Sequence, residues 1–486
     1  MKMHNTLLAT LIFAFALTLG SCSGSGDDIL ATIPADASMI EHIDAEAIIG
    51  SAGCIKKDGK WELGGTLDRL CESLNSEERD NIEGTLAALP VVDAGNIYFY
   101  TYRNHGFVTC LVNHPTVLAE ALETHLGRPD KVGGFKVYED KIALRGNQAW
   151  LSDDIDALAD ALKSAESKSV ADNKDLVKAL ELNGASFTCV INPASVIAAN
   201  PYLAISQSSA DGFLYNLAAI SGTLKENKIE GNAYSFTTDG EKISMADILG
   251  PIDDKFTNYL PDNTLIAYAF GKINNQWLEK YAEATGMRGI GAVKKYFDAV
   301  NGTGAIAIAP PTKFDNILKL SEWTATIAVQ YDKGTADQLI ELAASLETHG
   351  MKVELLSDQL CVSVPGGIGL LNPANFFIGY FDGMLIASTR RIEKKSDSKL
   401  GHYFNGYSAA GFISLPADGD IVKGFGAPFG LKCTVVSTDK DTHGVLELEG
   451  SNKPFVESLI SAFTDDAFQR KAIETIGQLQ EQENEQ

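Results

Sequence analysis

Cys22 is the residue whose surroundings most clearly predict a covalent reaction. It follows Leu19-Gly20-Ser21 at the end of an apolar run that begins at Leu7, and Lys2 lies ahead of that run. A basic start, about 13 apolar residues and small residues before a cysteine are typical of a lipoprotein export signal, and the run is too short to span a bilayer. We expect cleavage before Cys22, acylation of its thiol and anchoring to a membrane by fatty chains. An ordinary secretory signal and a buried apolar helix are the alternatives.

Three tyrosines, Tyr98, Tyr100 and Tyr102, are the ligand-binding candidates. The segment from Asn96 to Arg103 alternates, so the three rings should line one face of a strand at intervals of about 7 Å. A row of rings on an open sheet face could stack a sugar or another flat ligand. Alternatively, helices cover that face and the rings belong to the core, with hydroxyls bonded at its rim. We favour the packing interpretation.

The chain contains no motif that predicts catalysis or metal binding. It has no HExxH, no phosphate-binding GxxxxGK and no GxSxG outside the signal. The segment from Asp439 to Gly444 starts like a calcium loop, but Gly450 stands where the bidentate glutamate is needed. We therefore assign no catalytic residue and no metal ligand, and expect no cofactor.

The charge of the chain restricts its partners. Asp and Glu number 64 against 40 Lys and Arg, and the formal net charge is −24. Such a body repels nucleic acid and anionic lipid head groups. We expect no nucleic-acid partner, and contact with a membrane only through the lipid anchor.

Six cysteines remain besides Cys22. Cys54 and Cys71 flank a Gly- and Lys-rich loop and could form one disulfide bond. The other four lie inside apolar, strand-like runs and are expected to be buried free thiols: Cys110, Cys189, Cys361 and Cys433. The sequence contains no CxxC pair, so it indicates neither a thiol redox centre nor a zinc site.

Hydrophobic periodicity predicts an α+β fold. Segments 114–126, 155–162 and 335–347 have one apolar face each, as expected of helices that cover one face of a sheet. Polar breaks at 138–141, 226–228 and 439–444 separate alternating apolar runs and predict hairpins, and hence mainly antiparallel pairing.

The two halves share a pattern that predicts an internal duplication. Ile33-Pro34-Ala35-Asp36 and Leu260-Pro261-Asp262-Asn263 each precede an apolar strand, and Gly134 and Gly350 lie at matching places 216 positions apart. Chance recurrence of strand-helix-strand units is the alternative. The predicted organisation is a signal peptide 1–21, a flexible tether 22–30, two similar lobes 31–250 and 258–465, and a polar helical tail 466–486.

The chain resembles a Bacteroidales family of surface lipoproteins of unassigned function. The resemblance rests on the Cys22 signal, the acidic Asp27-Asp28, the segment Ile33-Pro34-Ala35-Asp36-Ala37 and the two-lobed length. It implies an outer-membrane location, and acidic residues after the lipidated cysteine are similar to a signal for display on the cell surface. The periplasmic face is the alternative, and the family supplies no catalytic residues.

Two classes of function are consistent with the sequence. The first is a non-catalytic binding or structural lipoprotein of the cell envelope, with a protein, glycan or peptide partner. The second is an extracytoplasmic hydrolase whose site is assembled from residues distant in sequence. A deep cleft with converging acidic or histidine side chains would favour the enzyme, whereas an exposed aromatic or apolar patch would favour binding.

Overall fold

The computed structural model describes residues 27–474 except 73–74, 153, 181–184, 193–194, 196–216, 237–242, 275, 277–298, 312–321, 365–373, 439–440 and 472. These residues divide into two compact units. The first unit is the described part of Met1–Lys242 together with Asn452–Thr464, and the second is that of Ile243–Ser451 and Asp465–Gln486. Asn452–Thr464 thus packs with the first unit, although the sequence suggested that it belongs to the second.

The first unit contains a large antiparallel sheet. Its described strands are β1 Met39–Ile43, β4 Ile97–Tyr102, β5 His105–Leu111, β6 Asp130–Val132, β7 Phe135–Tyr138, β8 Ile142–Arg145, β9 Gln148–Ser152, β10 Phe187–Ile191, β11 Leu217–Lys225 and β12 Lys228–Phe236, while β2 Ile55–Lys57 and β3 Lys60–Glu62 form a separate hairpin. Their order across the sheet is β6-β7-β8-β9-β5-β4-β1-β10-β11-β12.

Antiparallel pairing also joins the strands of the second unit. Its described strands are β13 Ile266–Phe270, β14 Val300–Ala309, β15 Thr324–Tyr331, β16 Lys352–Leu355, β17 Leu360–Val364, β18 Ala374–Phe381, β19 Met384–Ser388, β20 Ala409–Leu415, β21 Gly430–Ser437 and β22 Thr442–Glu449. Their order is β16-β17-β18-β19-β15-β14-β13-β20-β21-β22. It matches the order in the first unit strand for strand, with β13 in the place of β1 and β20 in the place of β10.

The three predicted helices are present as Pro115–Leu126, Ile155–Ser167 and Lys333–Ala344. Asp154 and Asp332 cap two of them, because each side chain accepts a hydrogen bond from a backbone N–H of the first turn. The remaining described α-helices are Asp27–Leu30, Ala45–Ser51, Gly65–Cys71, Ser76–Ala88, Lys174–Leu180, Met245–Ile248, Asp420–Phe425 and Phe455–Phe463. Residues 466–471 are also helical. None of the helices in the described part of the chain has the length and apolar character that a membrane crossing requires.

The predicted hairpins are confirmed where β7 meets β8, β11 meets β12 and β21 meets β22. Glu226 has a φ of 37°, and Glu139 and Asp140 have φ of 49° and 55°. Left-handed backbone of this kind matches the twist of tight hairpin turns.

Helices pack on both faces of the first sheet, which corrects the expectation that they cover one face. On one face, Tyr100 shares a core with Leu158 and Leu162 of Ile155–Ser167. On the other, Ile97 shares a core with Ile49 of Ala45–Ser51. The long connection between β1 and β4 supplies this second layer, which the alternating pattern of β4 alone did not reveal.

The last four residues of the expected flexible tether 22–30 are part of the folded first unit. Asp27–Leu30 is a short helix, and Ile29 and Leu30 are fully buried in the core of the first unit. Burial of two large apolar side chains fixes this segment, because exposing them would cost about 1.5–3 kcal/mol each.

Glu457 attaches the helix Phe455–Phe463 to the first unit. Its carboxylate is buried and accepts hydrogen bonds from Thr66 N at 3.0 Å and Thr66 Oγ1 at 2.9 Å. Gly53 and Gly65 leave room for it, since a Cβ on either residue would lie 2.9 Å or less from a Glu457 oxygen. Segments almost 400 residues apart in sequence are thereby joined within one unit.

One face of the second sheet carries partly exposed apolar side chains. Tyr268, Ile306 and Ile327 stand opposite one another on β13, β14 and β15 and are 44%, 48% and 51% exposed. The Tyr268 ring lies over Gly411 of β20, where an added Cβ would come within 2.8 Å of the ring. The core of the second unit lies on the opposite face, around Phe256, Phe404 and several strand alanines.

Candidate functional site

The tyrosine row belongs to the core of the first unit. Tyr98, Tyr100 and Tyr102 are 6%, 1% and 4% exposed. The Tyr100 ring stacks on Phe107 with the ring centroids 4.9 Å apart, and burial raises the pKa of its hydroxyl. These rings therefore do not form an open platform for a ligand, because helices cover the face on which they lie.

The cysteines offer no reactive centre among the described residues. Cys22 lies outside them, so its acylation remains an expectation. Cys54 and Cys71 are buried free thiols with no disulfide between them, and burial raises the pKa of Cys54 to about 11. A thiol with such a pKa is protonated at neutral pH and is a poor nucleophile. Cys110, Cys189, Cys361 and Cys433 are also free.

Metal ligation finds no support in the described part of the chain, where no three His, Cys, Asp or Glu side chains come together. Asp439 of the calcium-like segment lies outside the described residues. The flanking strands β21 and β22 pair from Ser437 and Thr442 onward.

A cleft of about 390 Å³ lies at one end of the second sheet. Ile266, the first residue of β13, pairs with Ile308 near the end of β14 and with Ile413 near the end of β20. The segments that enter β13 and leave the other two strands therefore meet there. The helix Asp420–Phe425 contributes to the wall. The lining combines apolar side chains, Leu265, Leu415, Ile421, Val422 and three prolines, with five polar ones, Asp262, Asn263, Thr264, Ser414 and Asp420.

Proline-led turns build the wall of this cleft. The carbonyl of Pro261 accepts hydrogen bonds from Thr264 N and Thr264 Oγ1, and that of Pro416 accepts one from Gly419 N. Proline presets the backbone for such turns. Asn263 Nδ2 donates to the carbonyl of Pro310 at 2.9 Å, which fixes the amide and leaves its oxygen without a partner among the described residues.

The cleft is acidic and rich in hydrogen-bond acceptors. Asp262 accepts a hydrogen bond from Lys395 Nζ at 2.7 Å, and this bond lowers the pKa of the Asp262 carboxyl. Asp420 is exposed and forms no ion pair within the described residues. The lining contains no lysine, arginine or histidine. A general acid needs a raised pKa, so Asp262, held ionised, is unsuited to donate a proton.

Sequence reasoning missed the cleft, although its parts carried a signal. Leu260-Pro261-Asp262-Asn263 is a cluster of turn residues that precedes β13, and Pro416-Ala417-Asp418-Gly419-Asp420 is a second such cluster that follows β20. Two such clusters at the ends of neighbouring antiparallel strands would meet at one sheet edge. Recognising that β13 and β20 are neighbours requires the topology, which the sequence did not reveal.

Comparison of the chain with protein-family models, curated proteins and solved structures found no match. The oxygens of the cleft can orient a ligand through hydrogen bonds, and its apolar wall can exclude water from that ligand.

Proposed function

We propose that this protein is a non-catalytic lipoprotein of the outer membrane, anchored through Cys22, whose second unit binds a ligand in the cleft. The cleft carries this proposal. Its volume of about 390 Å³ lies in the range typical of ligand pockets, roughly 300–1,000 Å³. Its lining, which combines apolar walls with a few polar groups, is also typical of such pockets.

We further propose that the two units arose by internal duplication. The matching strand orders support this. A helix also follows the equivalent strand in each unit: Pro115–Leu126 follows β5, and Lys333–Ala344 follows β15. The ligand cleft then belongs to the copy that begins at Leu260-Pro261-Asp262-Asn263.

The binding proposal is tested by exposing the purified mature chain to arrays of peptides and oligosaccharides. Ile421→Trp should abolish the signal, because the larger side chain fills the cleft from its wall. Lys423→Trp is the matched control, since Lys423 is exposed on the same short helix and does not line the cleft. We expect this control to bind like the wild type.

Two results would overturn the proposal. One is binding that Ile421→Trp leaves intact, which would place the site elsewhere. The other is conversion of the bound ligand to a product by the wild-type chain, detected by mass spectrometry, which would favour the alternative of an extracytoplasmic hydrolase.

A further inference from the structure

We infer that the cleft recognises the lysine or arginine side chain of a peptide. This inference rests on the proposed function and names its ligand class. It follows from the charge of the lining, from the kind of hydrogen-bonding groups that it presents and from the shape of its apolar part.

The charge of the lining favours a cation. Two carboxylates, Asp262 and Asp420, face the cleft, and no basic side chain lines it. Lys395 pairs with Asp262 and offsets one of the two charges. Asp420 has no such partner in the described structure and provides the uncompensated charge. An ammonium or guanidinium group gains from this arrangement, whereas a carboxylate or phosphate is repelled.

The hydrogen-bonding groups favour a ligand that donates. Asp262, Asp420 and the amide oxygen of Asn263 can only accept hydrogen bonds. The hydroxyl of Thr264 already donates to the carbonyl of Pro261 at 2.6 Å. Ser414 makes no side-chain hydrogen bond within the described residues and can adapt to either role. Ammonium and guanidinium groups carry several donors and no acceptor, which complements this set.

The apolar part of the lining favours a peptide over an amino sugar. Leu265, Leu415 and Ile421 can pack against the methylene stem of a lysine or arginine while its charged end stays at the rim. No aromatic ring lines the cleft, so the flat stacking surface that suits a sugar is missing from its described lining.

The test is calorimetric titration of the full mature chain with three blocked pentapeptides that have leucine on both sides of the central residue. The central residue is arginine, its neutral isostere citrulline, or glutamate. We expect the arginine peptide to bind at least about 10-fold more tightly than the citrulline peptide, and the glutamate peptide not to bind. Raising the salt concentration should weaken binding of the arginine peptide selectively.

Asp420→Asn should reduce the preference for arginine over citrulline to about two-fold or less, since it removes the unpaired charge. Asp418→Asn is the matched control, because Asp418 is exposed in the same turn and does not line the cleft.

Equal binding of the arginine and citrulline peptides, lost in Ile421→Trp, would overturn the cationic ligand and leave the proposed function standing. Failure of the arginine peptide to bind while a glycan binds in the cleft would also overturn the peptide assignment. Absence of all binding would overturn both.

Discussion

His42 is a half-buried histidine in the first sheet whose protonation should affect stability. Its Nε2 lies 3.1 Å from the carbonyl oxygen of Gly95 and 3.3 Å from Asn96 Oδ1. Burial lowers the pKa of His42 below its ordinary value of 6.5, and this outweighs the raising effects of Gly95, Asn96 and the nearby carboxylates of Asp44 and Asp93. The folded chain therefore resists protonation of this ring more than the unfolded chain does.

The pH dependence follows from this difference. Below pH 6.5 the unfolded chain binds a proton that folded His42 refuses, so the free energy of unfolding should fall as the pH decreases from 6.5 toward the lower folded pKa. Above 6.5 the ring is neutral in both states and contributes no slope. Urea denaturation at pH 8, 6 and 5 measures this, and His42→Gln should flatten the decline. His125→Gln, which replaces an exposed histidine of the same unit, should leave this decline unchanged. An unchanged slope in His42→Gln would contradict this role.

At the scale of single residues, the sequence showed which tyrosines share a face but not what covers that face. Alternation in β4 correctly grouped Tyr98, Tyr100 and Tyr102. Their burial depends on helices that lie far away in sequence, such as Ile155–Ser167. A pattern within one strand cannot distinguish a core face from a binding face when both are aromatic.

The attachment of the helix Phe455–Phe463 to the first unit should contribute to the stability of that unit, because Glu457 accepts hydrogen bonds from Thr66. Removing the Glu457 carboxylate leaves Thr66 N–H buried without its partner. We expect Glu457→Ala to lower the free energy of unfolding of the first unit by about 1–3 kcal/mol. Hydrogen exchange followed by mass spectrometry would show faster exchange in peptides around Thr66.

Glu474→Ala is the control for this variant, because Glu474 is exposed. It should exchange like the wild type. Equal protection around Thr66 in Glu457→Ala and the wild type would show that the helix is not held by this carboxylate.

At the scale of elements, local signals predicted much of the fold. Apolar periodicity located Pro115–Leu126, Ile155–Ser167 and Lys333–Ala344, and polar breaks located the hairpins. The predicted start at residue 335 is late by two residues, since Asp332 caps that helix. Non-local contacts were not predictable in this way. Asn452–Thr464 returns to the first unit through Glu457 and Thr66, and nothing within the helix sequence indicates that destination.

At the scale of the whole molecule, the cleft is built from segments that lie far apart in the sequence and form no local motif. Its walls come from residues 262–265, 310–311, 414–416 and 419–422, which only the antiparallel order of β14, β13 and β20 brings together. The net charge of −24 suits a partner with basic groups and opposes nucleic acid. Lipid anchoring at Cys22 would hold such a binding surface at the cell envelope.

The proposed function requires a lipid-anchored molecule that holds a ligand without changing it. The most direct measurement incubates intact cells that produce the wild type, Cys22→Ser or Ile421→Trp with the tightest ligand from the arrays, followed by mass spectrometry of the ligand retained on the washed cells. We expect wild-type cells to retain the ligand unaltered and both variants to retain only background amounts. Equal retention by cells producing Cys22→Ser, or recovery of a cleaved ligand from wild-type cells, would contradict the proposed function.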